Sequence, residues 1–208
     1  MNIKRIQYGN TFIPESWVFE GGNTDIKVPI VLSFFLVTLE DKRILVDTGS
    51  DTMKGFILDN FVKPVEALLK VGVSADEITD VIITHSHSDH IEAVKYYKNA
   101  TVYIQKDEYI KGKKYIPDGF NVVTFDEYLE LYNHLRIIKV GGHSIGSSIV
   151  EIEKDNKTVA ICGDECYTFY NLDNKVPTAS TFSKEKSTEF VMKYSDERYE
   201  CLICHDVK

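Results

Sequence analysis

The sequence predicts a layered αββα fold, in which two sheets pack face to face between outer helices. The first observation is the order of segments: strand-like runs come first, then helix-like runs, then strands, then helices and strands again. The second is that no repeat of short fixed period interrupts this order. The third is size and composition, because 208 residues with 43% apolar and 27% charged side chains suffice for a substantial core. We predict one domain that spans residues 1–208.

In the first half of the chain, the sequence pattern predicts a group of strands first and helices after them. The apolar run from Ile30 to Leu39 and the run that follows Glu40-Asp41-Lys42 predict a hairpin of two central strands, which ends at Asp47-Thr48-Gly49. Ser74-x-x-Glu77 resembles a capping box. The predicted strands of this half are 4–8, 16–20, 30–39, 43–47, 81–84 and 101–105, and its predicted helices are 58–71, 91–98 and 106–115.

The second half predicts a further group of strands and one terminal helix. Residues 148–153 and 158–163 predict a hairpin around Lys154-Asp155-Asn156-Lys157. Further strands are expected at 135–140 and 201–204, and a helix at 183–194. Residues 112–134 are rich in Tyr, Asp and Gly and follow no clear pattern.

The segment Thr84-His85-Ser86-His87-Ser88-Asp89-His90 is the strongest chemical signal in the chain. Its four metal-capable side chains fall within six residues, at a spacing that packing on a helix or a strand does not explain. Imidazole and carboxylate together suit zinc, iron, manganese and related divalent ions. The segment therefore predicts part of a metal site.

Four predicted strands end in candidate metal ligands. In chain order, the strands at 81–84, 135–140, 158–163 and 201–204 are followed by the His85 segment, His143, Asp164 and His205. Five of the six histidines lie at such strand ends, and only His134 does not. Ligands on loops at one edge of a rigid scaffold are what a catalytic metal site needs.

This pattern resembles the five-part motif of the metallo-β-lactamase superfamily. The matching residues are His85-x-His87-x-Asp89-His90, His143, Asp164 and His205, and Leu45-Val46-Asp47-Thr48-Gly49 is similar to the segment that precedes the metal loop. The resemblance covers residue 30 to the C-terminus. It implies the four-layer αββα sandwich of that superfamily and a metal-dependent hydrolase.

The resemblance also implies two divalent ions, with zinc expected and iron, manganese or nickel left open. The first ion would be held by His85, His87 and His143, the second by Asp89, His90 and His205, and Asp164 would bridge them. Two such ions acidify a shared water, and the resulting hydroxide attacks a carbonyl carbon. Asp89 would orient the hydroxide and carry a proton to the leaving group. Asp47 is expected to support a ligating histidine.

Tyr167, three residues after Asp164, is similar to a tyrosine of the N-acyl-homoserine lactonases that bonds the lactone carbonyl or its oxyanion. Lys27-Val28-Pro29-Ile30 and the ending His205-Asp206 also resemble that group. A lactone or ester is therefore the expected substrate. Two departures bear on substrate choice: Ile91-Glu92-Ala93 stands where many relatives have small residues, and the chain is shorter than typical lactonases.

Other functions remain open at this point. A thioester hydrolase of the glyoxalase II type fits the same ligands, and a di-iron redox enzyme or a metal-binding module without turnover are alternatives from other classes. Cys201-x-x-Cys204-His205 also spells a haem-attachment motif, and the four cysteines could form a structural zinc site. Free buried thiols are the simpler expectation, with oxidation sensitivity as a hypothesis.

Charge and hydropathy limit the partners. The net charge of −8 argues against nucleic-acid binding, since such proteins usually show a basic face. The start lacks the apolar core of a signal peptide, and the longest apolar run is too short to span a membrane. We expect a cytoplasmic protein that binds a small-molecule substrate and no membrane, and a homodimer is left open.

Overall fold

The computed structural model describes residues 1–154 and 157–208, which form two compact units. Unit 1 comprises Met1–Thr11 and Val31–Phe125, and unit 2 comprises Phe12–Ile30 and Asp126–Lys208. Each unit is built on its own sheet, so the mixed α/β class with two sheets is confirmed. The expectation of one domain over residues 1–208 stays a prediction.

Eleven strands and six α-helices make up the described chain. The strands are β1 (Asn2–Pro14), β2 (Lys27–Leu39), β3 (Lys42–Val46), β4 (Asp80–Ile83), β5 (Thr101–Gln105), β6 (Asn121–Phe125), β7 (Tyr128–Tyr132), β8 (Leu135–Lys139), β9 (Ser148–Lys154), β10 (Lys157–Ile161) and β11 (Tyr199–Leu202). The helices are α1 (Glu15–Val18), α2 (Pro64–Lys70), α3 (Ser88–Ile91), α4 (Lys106–Gly112), α5 (Phe169–Asn174) and α6 (Lys184–Tyr194). Short 3₁₀ turns occupy Ala75–Glu77, Glu92–Tyr96, Lys113–Tyr115 and Gly163–Glu165.

The sheet of unit 1 has the strand order β1-β2-β3-β4-β5-β6. The predicted hairpin of β2 and β3 is confirmed, and β3, β4, β5 and β6 then pair in parallel. All four residues of β4 are buried, as expected for a parallel strand in the middle of a sheet. Because β3 and β4 are parallel neighbours, the loops that follow them leave the same edge of the sheet.

The sheet of unit 2 has the order β11-β10-β9-β8-β7. Its strands alternate in direction from β7 to β10, and β11 then pairs with β10 in parallel. The strands β8, β10 and β11 therefore run in the same direction, and their carboxyl ends lie at the same edge. The helix α6 packs Phe190, Val191 and Tyr194 into the core of this unit. The tip of the predicted 154–157 hairpin falls partly on residues 155–156, outside the described residues.

Several local predictions were wrong. Residues 16–20 do not form a strand, because the short helix α1 turns the chain and buries Val18 while Trp17 stays half exposed. The helix predicted at 58–71 begins only at Pro64, whose fixed φ suits a first helical position. The predicted helix at 91–98 is a 3₁₀ turn.

Some elements gave no signal in the sequence. The segment 112–134, which had no clear pattern, contributes β6 to the first sheet and β7 to the second. The helix α5, which was not predicted, follows the Asp164 turn. No helix among residues 1–154 and 157–208 is long and apolar enough to cross a membrane.

Candidate metal centre

In unit 1, the four predicted ligands of the His85 segment lie close together directly after β4. His87 directly precedes the short helix α3, whose single turn carries Asp89 and His90. The Nε2 atom of His85 lies 3.0 Å from Nδ1 of His87, and the rings of His85 and His90 have centroids 4.1 Å apart. Asp89 Oδ2 lies 3.6 Å from His90 Nε2.

Asp47 holds this segment in place. It follows β3 with a φ of 64°, a left-handed conformation that aspartate tolerates better than most residues. Its carboxylate accepts the backbone N–H of Thr84 at 2.8 Å and the Thr84 hydroxyl, and Oδ2 lies 2.8 Å from His90 Nδ1. Asp47 thus contacts a candidate ligand, His90, and its role as the support of a metal-bound histidine stays a prediction.

These contacts fix which nitrogen of each of the two buried rings, His85 and His90, keeps its lone pair. The Thr84 hydroxyl donates to Asp47, so its oxygen is left to accept from His85 Nδ1 at 3.1 Å. His90 Nδ1 likewise donates to Asp47. Because a neutral imidazole carries one proton, both rings keep the lone pair on Nε2, the tautomer that binds divalent metals.

A second carboxylate, Glu108, was not predicted as part of the site. It lies in the first turn of α4 with no solvent exposure. Its Oε2 accepts the backbone N–H of Ser86 at 2.9 Å and the Ser86 hydroxyl at 2.6 Å. Since Ser86 separates His85 from His87, Glu108 fixes the backbone between two candidate ligands.

In unit 2, His143, Asp164 and His205 lie close together at the carboxyl-end edge of the sheet. Asp164 sits in the 3₁₀ turn after β10, and its Oδ1 lies 3.2 Å from His205 Nε2. Its Oδ2 lies 3.7 Å from His143 Nε2. The two oxygens of one buried carboxylate thus face two different histidines, an arrangement that is compatible with a bridging ligand.

His143 is oriented by contacts on both its ring and its backbone. Its Nδ1 lies 2.8 Å from the carbonyl oxygen of Ser180, which leaves the lone pair on Nε2. The buried Glu165 accepts the backbone N–H groups of Gly142 and His143 and the hydroxyl of Ser147. Burial raises the pKa of Glu165 to about 7, while these hydrogen bonds oppose the rise.

Tyr167 lies among the ligands of unit 2. Its ring stacks on that of His205, with centroids 5.4 Å apart and planes inclined by 19°. It meets the His143 ring edge-on at 6.0 Å. The predicted oxyanion-binding tyrosine is thus half-buried beside two candidate ligands.

The four cysteines are all buried free thiols. Cys204 joins a group of candidate ligand atoms with Asp164 and His205, and its Sγ lies 3.5 Å from Asp164 Oδ1. Among the described residues, no comparable group unites the four cysteines, so a structural zinc site built from them gains no support. The hydrogen bond with Cys201, together with burial, raises the pKa of the Cys162 thiol, which lowers its reactivity.

Within each unit the spacing of the donor atoms fits a metal ion. Two ligands on one tetrahedral zinc ion lie about 3.3 Å apart, since Zn–N and Zn–O bonds are about 2.0–2.1 Å long. The pairs His85–His87 and Asp164–His205 lie at 3.0 and 3.2 Å, and Asp89–His90 and His143–Asp164 lie at 3.6 and 3.7 Å. The nitrogen and oxygen donors suit zinc and other divalent transition metals.

A profile of the metallo-β-lactamase superfamily matches residues 28–204. The chain belongs to the metallo-β-lactamase superfamily. Among superfamily relatives, a probable metallo-hydrolase of Methanocaldococcus jannaschii is 28% identical over 164 residues, covering 78% of this chain and 70% of the relative. An N-acyl homoserine lactonase of Bacillus cereus is 25% identical over 205 residues, covering 84% and 80%.

The fold of this superfamily member is also that of solved lactonase structures. One is an N-acyl homoserine lactone hydrolase with the product N-hexanoyl-L-homoserine bound at its catalytic metal centre. It matches with a TM-score of 0.83 and 22% identity, over 99% of this chain and 93% of the other. The predicted metallo-β-lactamase type of fold is therefore confirmed.

Proposed function

We propose that this protein is a metal-dependent hydrolase that uses two divalent ions, most simply zinc, to cleave a lactone or ester. The first ion would be held by His85, His87 and His143, the second by Asp89, His90 and His205, and Asp164 would contact both. This assignment rests on the superfamily motif, which the sequence carries in full.

The observation that carries the proposal is the preorganised ligand geometry of each unit. The rings of His85, His90 and His143 each have Nδ1 held by an oxygen atom, so that Nε2 is the nitrogen ready to bind a metal. Asp164 presents its two oxygens to two different histidines. Residues with a purely structural role have no need of this common orientation.

Divalent ions held by these residues would acidify a shared water and polarise a carbonyl oxygen. The chain itself supplies three further functions. Asp89, which keeps a 20% exposed side chain next to His90, orients the attacking water and carries a proton to the leaving oxygen. Tyr167 donates a hydrogen bond to the carbonyl oxygen as negative charge develops there. Asp47 keeps His90 in its metal-binding tautomer.

The preference for a lactone or ester is supported by two findings. The relative from Bacillus cereus is an N-acyl homoserine lactonase. Tyr167 stacks on His205, and its place three residues after Asp164 resembles that of the carbonyl-binding tyrosine of that group. The cytoplasmic location remains a prediction from the sequence, and a homodimer remains open.

A hydrolysis panel with metal analysis on the same sample tests the proposal. The panel comprises N-acyl homoserine lactones, S-acylglutathiones, nitrocefin and simple phosphodiesters. We expect turnover of the lactones, its loss after chelation and its return on adding zinc. Turnover of the S-acylglutathiones alone would favour the thioesterase alternative. A metal-loaded protein that hydrolyses none of the four classes would overturn the proposed function.

A further inference from the structure

A cavity of about 290 Å³ opens in unit 1 next to the metal-binding segment. One of its walls is Ser88, which lies between the candidate ligands His87 and Asp89 in the sequence, so the cavity adjoins the segment that carries them. Its volume lies just below the range of about 300–1,000 Å³ for small-molecule sites. The other residues that line it are Thr52, Met53, Lys54, Phe56, Glu92 and Tyr115.

Glu92 places a carboxylate in the wall of this cavity, which Lys54 also lines. Its Oε2 is in hydrogen-bond contact with the Ser50 hydroxyl, and the Thr52 hydroxyl lies 3.3 and 3.4 Å from its two oxygens. These contacts orient the carboxylate but do not use all of its capacity to accept hydrogen bonds, because a carboxylate offers about four lone-pair positions. Glu92 can therefore accept further hydrogen bonds from a bound molecule.

The rest of the cavity is mixed in character. Met53, Phe56 and Tyr115 supply apolar surface, and the exposed Lys54 lies on a flexible stem. A long alkyl chain would press methylene groups against the Glu92 carboxylate and strip it of water, which is costly. A group that carries an ammonium or an amide N–H would instead form a charge-assisted hydrogen bond.

We propose that this cavity holds the non-reacting arm of the substrate and selects a short arm with an ammonium or amide N–H placed against Glu92. The inference rests on the proposed hydrolase function and narrows its substrate class. The small volume limits the length of the arm, and the apolar wall contacts its carbon atoms. Glu92 is thus assigned as a specificity residue that contacts the substrate away from the reacting carbonyl.

The test uses an isosteric pair of esters, the para-nitrophenyl esters of β-alanine and butyric acid, which differ by an ammonium in place of a methyl group. Glu92→Gln keeps an oxygen for the Ser50 and Thr52 hydroxyls but removes the charge. We expect the variant to lower kcat/KM for the β-alanyl ester by about ten-fold, equivalent to about 1.4 kcal/mol, and to leave the butyryl ester nearly unchanged. Comparing variant with wild type on each ester cancels their different intrinsic reactivities.

Two further measurements make the result decisive. Glu189→Gln, at an exposed position of α6, is the matched control and should affect neither ester. Calorimetry on the metal-loaded protein measures the binding of the non-hydrolysable N-methylamides of β-alanine and butyric acid. The wild type should bind the β-alanine amide more tightly because it carries the ammonium, and Glu92→Gln should abolish this preference. Equal losses on both esters, or no loss on either, would overturn the role of Glu92. If Glu92→Gln leaves the binding of both amides unchanged, the role of Glu92 is overturned even if no ester is hydrolysed. If the wild type prefers the ammonium-bearing amide but hydrolyses no ester, the result counts only against the hydrolase function.

Discussion

Glu108 accepts two hydrogen bonds from Ser86, one from the backbone N–H at 2.9 Å and one from the hydroxyl at 2.6 Å. Gln105 caps the helix that carries Glu108, accepting the N–H groups of Asp107 and Glu108 itself. Gln105 therefore positions the start of the helix, the helix positions Glu108, and Glu108 positions Ser86 in the segment that carries the candidate ligands. The position of His85 and His87 depends on a helix that begins more than ten residues later in the chain.

Removing this carboxylate should weaken metal binding without touching a ligand. We expect Glu108→Ala to lower the affinity for zinc about 10- to 100-fold, as for other residues that support metal ligands. The half-buried Ser86 N–H would lose its partner at a cost of about 1 kcal/mol. Competition with a chromogenic chelator measures the affinity. Glu108→Gln, which keeps one acceptor oxygen, should recover most of it, and wild-type affinity in the alanine variant would show that the contact does not position the loop.

Gly142 should not tolerate a side chain. A Cβ atom at this position would overlap Oε2 of Glu165 and lie 2.6 Å from the hydroxyl oxygen of Ser187. We expect Gly142→Ala to displace Glu165 from the backbone of His143 and to destabilise the protein by about 1–3 kcal/mol. Urea unfolding followed by circular dichroism measures the loss, with Glu189→Ala as an exposed control. A variant as stable as wild type would mean that the Glu165 contacts can rearrange at no cost.

Tyr167 should affect turnover more than metal binding. If its hydroxyl stabilises the oxyanion, Tyr167→Phe should lower lactone kcat by about ten-fold or more while the bound metal stays constant. The steady-state rate and the metal content are measured on one preparation. Tyr170→Phe, three residues further along and half exposed, provides the matched control. An unchanged kcat would remove the main reason to prefer a lactone substrate.

Tyr194 should contribute to stability in a pH-dependent way. Its hydroxyl lies 2.5 Å from the buried Glu151, which Arg136 also contacts. Burial alone would raise the pKa of Glu151, but hydrogen bonds from Tyr194 and Arg136 and the charge of Lys193 lower it below its ordinary value of 4.5. A carboxyl whose pKa is lowered in the folded state stabilises the protein above its unfolded pKa, and this contribution is lost as the pH falls through the folded pKa.

Tyr194→Phe should therefore cost about 1.5–3 kcal/mol of unfolding free energy at neutral pH, because a hydrogen bond to a charged group is lost. The difference from wild type should shrink below the pKa range of carboxyl groups, where Glu151 is protonated. Urea titrations at both pH values provide the comparison, with the exposed Tyr128→Phe as control. A difference that is the same at both pH values would contradict the charged state of Glu151.

The loops that carry the candidate ligands could be predicted from the sequence because they follow apolar strands that are recognisable by their composition. Asp164 and His205 come together because β10 and β11 are parallel neighbours, and the polar residue after each strand marks the shared edge. Asp47 was predictable for the same reason, since it follows a strand that lies beside β4.

The supporting glutamates could not be predicted in this way. Glu108 lies in the segment Gln105-Lys106-Asp107-Glu108, which has the composition of an exposed helix start, and only the fold turns its carboxylate inward. Glu165 follows Asp164 directly, so its sequence context does not separate the two roles. Residues 16–20 were misassigned because a single helical turn has too few residues to show a period.

The most direct test of the central claim is the number of divalent ions bound per chain, measured by elemental analysis of protein that was stripped, reloaded with zinc and desalted. The wild type should hold two ions. His87→Ala and Asp164→Ala, one variant from each unit, should each hold fewer ions and lose lactone turnover on the same samples. A wild-type chain that retains no zinc, or variants that keep two ions and full turnover, would contradict the assignment of a two-metal hydrolase.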